Sequence, residues 1–378
     1  MARFIHTGDW QLGMTRHFLS SEAQARYSEA RLEAVKAIAK LARDERCSFV
    51  VVSGDVFESN HLDRSVVVRA LDAMAGFDTP LYLLPGNHDP VNAASVYRSP
   101  VFLEHCPENV IVLDTSTSIV VPGTEVEVVG APWDSKHPLE DLAAKTCANL
   151  GVDEQRLRVL VAHGAVDECS PNPQNPALIS LSNAQQAVAS GRISYVALGD
   201  RHSITRCGDT DRIWYAGTPL VTDYDETEAN HVLLVGLDQE SVSVEPRQIG
   251  SWVFLRQSFD VNNRAEVDAV SDWLENIADK RSAVVKLSFV GTLNLTEKAH
   301  LDDVIEHHSD LFAALETWER QTDLAVLPDD EDLSELGLTG FAADTLEELR
   351  AQADSHGEPG RVAQDALSLL FRLAGARS

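Results

Sequence analysis

Long apolar runs are missing from this 378-residue chain. None approaches the ~18 residues that a membrane-spanning helix needs, and the opening "MARFIHTGDW" enters a strand-like stretch with no apolar leader ahead of it. The expectation is a cytoplasmic protein with no membrane contact. Cysteine is scarce and unpatterned. Cys47, Cys106, Cys147, Cys169 and Cys207 form an odd set without CxxC spacing, which argues against a disulfide framework and a thiolate zinc knuckle and leaves buried free thiols as the reading. Basic charge is short as well: 31 Lys and Arg face 59 Asp and Glu, a formal charge of -28. Long-range repulsion then opposes general adhesion to polyanions, so any anionic substrate must be met by a local cationic centre. No internal repeat and no low-complexity tract is found.

What is present is 44% hydrophobic residues, enough to bury one large core and one or two smaller ones. Strand-like runs alternate with helical periodicity through the first 200 residues. "ARFIHTGD" precedes a helix with Leu32, Val35, Ile38 and Ala39 on one face; "SFVVVSGD" precedes the helix "RSVVVRALDAMAG"; "LYLLPGNHD" follows. These are βαβ units. Shorter strands come next ("NVIVLD", "SIVVPG", "EVEVVGAP"), then "LRVLVAHG", "ISYVALGD", "RIWYAGTP", "HVLLVGLD" and "SVSVEPRQI". The expected fold is α/β, a four-layer α/β/β/α sandwich over residues 1–250.

Near residue 252 the organisation changes. The strand "WVFLRQSFDV", a helix over 264–279 carrying Val267, Val270, Leu274 and Ile277, the strand "AVVKLSFVG" and a helix capped by Thr296 predict a smaller α+β domain over 251–327. From 328 to 360 an acidic linker is expected, since residues 328–359 hold ten acidic side chains against one basic. Residues 361–378 read as a C-terminal amphipathic helix with a stripe of Val362, Ala366, Leu369, Leu370 and Leu373. That stripe either docks on its own domain or receives a partner helix.

Five strands of the first domain end on a metal-competent residue: Asp9, Asp55, Asn87, His163, and Asp200 with His202. Each is adjacent to glycine, in "TGDWQ", "SGDVF", "PGNHD", "AHGA" and "LGDRH", which permits tight turns and close backbone approach. Loops at the carboxyl ends of parallel strands converge on one crevice, so groups separated by nearly 200 residues can share a site. Taken singly, Asp9 and Asp55 read as helix caps or turn formers and Asn87 as a turn residue. As an ordered set they read as a site. Carboxylate, amide and imidazole donors without thiolate suit Mn²⁺, Mg²⁺ or Fe²⁺ rather than structural zinc. The set exceeds what one ion with an open position would use. Two ions about 4 Å apart clamp a phosphate, provide hydroxide near neutral pH and stabilise attacking and leaving oxygens, which makes phosphate-ester hydrolysis the chemistry they serve best.

The order "GDWQLG", "GDVFE", "GNHD", "AHG", "GDRH" resembles the calcineurin-like metallophosphoesterase superfamily. The Trp-x-Leu-Gly after the first Asp, the Asp-x-Phe after the second Gly and the closing "YAGTP" are similar to SbcD-type, or Mre-family, DNA repair exonucleases. The likeness is strong over the first 250 residues and positional beyond them. It implies that Asp55 bridges two ions, that Asp9 helps hold the first and that Asn87 and His163 hold the second. It also implies that His88 faces the scissile phosphate as the non-ligand histidine. Asp89 is placed to orient it. Gln11 stands where the superfamily has histidine, and Asp200 where it has the first histidine of G-H-x-H, whereas His202 matches the last. Both replacements are taken as ligands, Gln11 through a neutral amide oxygen and Asp200 through a charged one. The site becomes richer in oxygen, which favours Mn²⁺ (or Mg²⁺) over zinc and weakens the ion on the Gln11 side.

His17 and Arg201 are the substrate-contact candidates, Arg201 also reading as an ordinary surface ion pair. His6, His61 and His105 read as surface or packing histidines, and Trp10 and Trp133 as packing groups. The resemblance further implies a DNA-contacting role for 251–327, an SMC-like (SbcC-type) ATPase partner for the C-terminal helix and a nucleoid-associated location on DNA, and it leaves room for a homodimer. The leading expectation is a manganese-dependent DNA exo/endonuclease subunit in DNA repair. Its rivals are a phosphodiesterase acting on small nucleotides, favoured by the acidic surface, and a weakly active scaffold subunit, favoured by Gln11 and Asp200.

Overall fold

The computed structural model describes residues 2–326 apart from 154, 171 and 173, then 340–353, and beyond these 359, 360, 362, 363, 365–367 and 369. The chain forms two compact units. One comprises Met1–His17 and Gln24–Trp252, the other Phe18–Ala23 and Val253–Ser378. The short segment Phe18–Ala23, which runs into the first turn of the first long helix, thus groups with the second unit; there Phe18 meets the Phe254 ring edge-on.

In the first unit β1 (Ala2–Thr7), β2 (Phe49–Val52), β3 (Leu81–Leu83) and β4 (Val110–Val112) run parallel. The antiparallel β11 (His231–Leu237) and β12 (Val242–Gln248) extend that sheet beyond β1. The second sheet has the order β5-β6-β7-β8-β10-β9, from β5 (Ile119–Val120), β6 (Val126–Ala131), β7 (Leu157–His163), β8 (Tyr195–Gly199), β9 (Ile204–Arg206) and β10 (Ile213–Ala216).

Period-two alternation decides what each strand buries. Phe4, Phe49, Val51 and Tyr82 turn inward and join Val128, Val159, Val161 and Tyr195 of the facing sheet in one apolar layer. Ile5, Val50, Val52 and Leu83 turn outward beneath α1 (Ser21–Asp44) and α2 (Arg64–Met74), which contribute Val35, Ile38, Leu71 and Met74. On the far side Val129, Leu160, Val196 and Leu198 are covered by Ala143 and Cys147 of α4 (Leu142–Ala148) and by Leu181 and Ala184 of α5 (Leu181–Ala189); α3 (Pro100–His105) adds Phe102 to the α1 side. This is the four-layer α/β/β/α sandwich that the strand order predicts. Each fully buried Val, Leu or Phe contributes roughly 1.5–3 kcal/mol. Among the described residues no helix is long and apolar enough to cross a membrane. Cys47, Cys147 and Cys207 are buried free thiols, but Cys106 is half-buried and Cys169 exposed, contrary to the uniform burial expected.

In the second unit β13 (Val253–Asp260), β14 (Ala283–Leu293), β15 (Ala314–Thr317) and β16 (Asp323–Val326) form a sheet in which β14 pairs in parallel with the other three. Helix α6 (Arg264–Glu275) and helix α7 (Leu295–Ser309) bury Val267, Val270, Leu274, Leu301 and Val304 against it. Two expectations need correction. The cap of α7 is Asn294, which with Glu297 forms a reciprocal capping box, rather than Thr296; and α6 ends at Glu275, short of 279. Within the span expected to be a linker, α8 (Phe341–Ala353) buries Leu346, Leu349 and Ala353 with Leu295 and Val326. Ala363 and Leu367 join that cluster, while Val362 and Leu369 remain exposed at 62% and 55%. The buried side of the C-terminal segment is therefore set one position off the apolar stripe read from the sequence. Leu370 and Leu373, and the acidic residues at 328–339, lie outside the described residues.

Candidate metal centre

The loops after β1, β2, β3, β7 and β8 meet at one place. Asp9, Asp55 and His163 each offer an atom within 4.8 Å of the others, although 154 positions separate the first from the last in sequence. Oδ1 of Asp55 lies 3.4 Å from Nε2 of His163, and Oδ1 of Asp200 lies 3.7 Å from the same nitrogen. Oδ1 of Asn87 is 2.6 Å from it. Nε2 of His202 stands 4.0 Å from Oδ1 of Asp9. All six strand-end residues read from the sequence are therefore in one cluster.

Backbone conformation places them there. Among the described residues seven non-glycine positions have positive φ, and four of these are Asp9, Gln11, Asp55 and Asp200. L-residues reach that region at a cost of order 1–3 kcal/mol each, and such strain gathers where the surroundings over-determine a loop. Here they do. The Asp9 N–H donates to the Gly54 carbonyl, the Gln11 N–H to the Asp55 carbonyl at 2.8 Å, and the Asp200 N–H to both carboxylate oxygens of Asp9 at 3.1 Å. The motif glycines clear space: a methyl on Gly54 would lie 2.1 Å from Nδ1 of His163, and one on Gly86 would lie 2.2 Å from Oδ1 of Asp55.

His163 is fixed by Ser53, which the sequence did not mark, and by Trp133, which it marked as a packing group. Its Nδ1–H donates to the Ser53 carbonyl at 2.9 Å, which leaves Nε2 toward Asp55, Asn87 and Asp200. The Trp133 indole N–H donates to the His163 carbonyl at 2.7 Å and its ring meets the imidazole edge-on. Trp133 is thus a packing group with a specific partner. Trp10 is likewise buried, its N–H on the Thr7 hydroxyl.

His88 sits at the rim, its side chain 35% exposed and its Nε2 4.0 Å from Oδ2 of Asp55. The expectation that Asp89 orients it is overturned. Asp89 is buried and accepts from the Phe57 N–H, the Gly86 N–H and the Tyr97 hydroxyl, so it braces the Asn87 loop from below. Burial, then the charge of Asp55, raises the Asp89 carboxyl to about 6. The His88 ring is held instead by the Glu58 carbonyl, which accepts from Nδ1 at 2.9 Å. Glu58 closes the "GDVFE" motif, but the group it offers is a backbone carbonyl, which no residue type marks. Of the two substrate candidates, His17 is exposed six residues beyond Gln11, and Arg201 is exposed with its Nε donating to the Thr205 hydroxyl.

The donor set fits cations. Oε1 of Gln11 is buried and without a hydrogen-bond partner, an arrangement that costs ~1–3 kcal/mol unless something accepts its lone pairs. Three carboxylates surround two imidazoles, and the charge imbalance is visible in their ionisation. Burial opposes a charged ring at His163, yet Asp55, Asp200 and Asp9 push its pKa well above the ordinary value. Desolvation lifts Asp9 to about 7 against the pull of His202 and His163. His202 rises to about 9 because its bond to Glu226 and the charge of Asp9 outweigh its burial. The pocket calls for positive charge, and a divalent cation supplies it while leaving both Nε2 lone pairs available.

A sequence model for the calcineurin-like phosphoesterases matches residues 2–202, more than half of the chain. No curated protein matches the sequence. Solved structures to which the chain is similar include the protein TT1561 of Thermus thermophilus, with 13% identity, a TM-score of 0.42 and coverage of 66% of this chain and 99% of that one. They include a dimetal phosphatase from Danio rerio, with 14% identity, a TM-score of 0.40 and coverage of 65% and 96%. The NAD nucleotidase of Haemophilus influenzae shares 12% identity at a TM-score of 0.38, over 82% of this chain and 60% of its own. With the converging strand ends and the matched span together, the chain belongs to the calcineurin-like phosphoesterase family, metal-dependent hydrolases of phosphoesters with a dinuclear centre.

Proposed function

We propose that the protein is a DNA exo/endonuclease subunit that hydrolyses phosphodiester bonds with two divalent ions, Mn²⁺ or Mg²⁺, beside an SMC-like ATPase partner. The observation that carries the reading is the layered exposure of the site. Asp9, Asp55 and His163 form a floor whose side chains are at most 3% exposed, while His88 and Asp200 at the rim are each 35% exposed. His88 and Asp200 are thus the groups that an incoming phosphodiester would meet first, with the buried donors beneath them. The choice of DNA among phosphodiesters is supported by "DWQLG", "GDVF" and "YAGTP", which are similar to the SbcD-type nucleases.

Asp9, Gln11, Asp55, Asn87, His163, Asp200 and His202 would hold the ions. Bound there, the ions neutralise phosphate charge and activate water as the nucleophile. The protein's own groups do the rest. The floor residues fix the phosphorus relative to His88, and the Glu58 carbonyl holds the His88 ring with its proton on Nδ1. His88 would act as an imidazolium: with the Nδ1 proton kept on the Glu58 carbonyl, the Nε2 proton is the one given to the leaving oxygen as the bond to phosphorus breaks, and the ring is left neutral.

A second reading, hydrolysis of small nucleotide diesters, is favoured by the formal charge of -28, which repels long polyanions. Incubation with linear duplex DNA and with a chromogenic diester in Mn²⁺ separates the two. Degradation of the duplex is expected; turnover of the diester with intact DNA would overturn the nuclease reading.

A further inference from the structure

The two nitrogens of His202 have different neighbours. Nε2 faces the cluster near Asp9, whereas Nδ1 lies 2.6 Å from the Thr222 hydroxyl oxygen and 2.9 Å from Oε1 of Glu226. The Glu226 side chain is only 6% exposed. Its other oxygen accepts the Thr222 N–H at 2.8 Å, and the Thr222 hydroxyl donates to Oε1. Nδ1 faces two oxygens, and the Thr222 hydroxyl proton is already given to Oε1, so Nδ1 is the nitrogen that donates here and Nε2 is the one left to offer a lone pair. The other tautomer would set two lone pairs against each other in a mostly dry pocket.

The segment carrying Thr222 and Glu226 is itself tied to the first loop of the site. The Thr222 carbonyl accepts from the Arg16 guanidinium, and the Val221 carbonyl accepts from the Tyr27 hydroxyl at 2.7 Å. That hydroxyl in turn accepts from Arg31, whose other terminal nitrogen donates to the Trp10 carbonyl at 2.7 Å. The Thr218 hydroxyl lies 3.0 Å from the carbonyl of Asp9. Glu226 is therefore held in register with Asp9 as well as with His202.

We propose that Glu226, with Thr222, is a positioning residue that fixes His202 with its proton on Nδ1 and presents Nε2 to one of the two divalent ions. The inference rests on the metal-centre reading above. Partners of this kind change metal affinity by ~10–100-fold when removed.

The test is Mn²⁺ binding followed by the electron paramagnetic resonance signal of the free ion, with urea unfolding as a check on the fold. Glu226→Ala is expected to weaken one of two bound ions by about 10–100-fold and leave the other unchanged. In a His202→Ala background the same substitution is expected to do nothing further. Glu226→Gln, isosteric and safer for folding, keeps one accepting oxygen but places an NH₂ where the other accepted; a loss of about tenfold is expected. Wild-type affinity in Glu226→Gln, or an equal loss from Glu226→Ala with and without His202, would overturn the proposal. A wild-type protein that binds no Mn²⁺ would instead remove the metal-centre reading and this inference with it.

Discussion

Gly86 offers the sharpest test of how the strand ends build the site. A methyl at this position would stand 2.2 Å from Oδ1 of Asp55, 2.6 Å from the Asp55 backbone nitrogen and 3.1 Å from its carboxyl carbon. Non-bonded heavy atoms settle at roughly 3.5–4.0 Å, so the β2 and β3 loops would have to part by about 1 Å. Rotating the Asp55 side chain relieves the carboxylate contact but not the one to its nitrogen. Backbone must therefore move, at an overpacking cost of about 1–3 kcal/mol. Asp55 faces His163 at 3.4 Å, and its Oδ1 accepts the His88 N–H at 3.0 Å, so the shift also reaches the floor and the rim. A misplacement of ~1 Å at a reacting centre costs on the order of 100-fold in rate. Gly86→Ala is expected to lose about that factor in kcat/KM for a chromogenic diester, with weaker Mn²⁺ binding and the stated loss in urea stability. Gly151→Ala, where an added methyl meets nothing within 4 Å, is the matched control. Wild-type turnover and Mn²⁺ affinity in Gly86→Ala would refute the argument that this glycine sets the position of Asp55.

Three further outcomes follow from separate parts of the molecule. Calorimetry should show Mn²⁺ or Mg²⁺ bound in preference to zinc, and Gln11→His should strengthen zinc at one site by ~10–100-fold; equal zinc affinity in wild type and variant would remove Gln11 from the ligand set. His6 bridges the two sheets through Tyr195, Ser53 and Leu198, and burial holds its pKa down at about 3. Below an unfolded value of ~6.5 the unfolded chain therefore takes up a proton that the folded chain refuses, and stability falls as pH drops from 6.5 toward 3, by about 3 kcal/mol at pH 4.5 from this ring alone. Urea titrations of His6→Gln should show a lower stability at pH 7.5 and a shallower acid slope, and an unchanged slope would contradict the assignment. Arg158, on β7, donates twice to Glu127 on β6 and also to the carbonyls of Gly151 and Arg192. Glu127→Ala leaves that guanidinium buried without its carboxylate and is expected to cost about 3–5 kcal/mol in urea unfolding; a loss under about 1 kcal/mol, the range of an exposed pair, would show that it is solvated.

Much of this protein was legible in one dimension because local chemistry repeats along it. The βαβ order, the inward and outward alternation of Phe4 and Ile5, and the helix face of Val35 and Ile38 follow from periods of two and of 3.6 residues. Strand-end carboxylates and histidines beside glycine announced a shared crevice, since parallel strands deliver their carboxyl ends to one edge. Tertiary structure alone decided which side chains support those groups. Glu226, Ser53 and Trp133 touch His202 or His163 across 24, 110 and 30 positions, and no spacing in the chain marks such contacts. Asp89 shows the same limit from the other side: adjacency to His88 made it look like the orienting group, but its carboxylate is taken up by the Phe57 and Gly86 N–H groups and the Tyr97 hydroxyl, and the Glu58 carbonyl holds the ring from 30 positions away. Likewise the C-terminal stripe named an apolar face, whereas the surface offered by Leu295 and Val326 determined that Ala363 and Leu367 are the residues it buries.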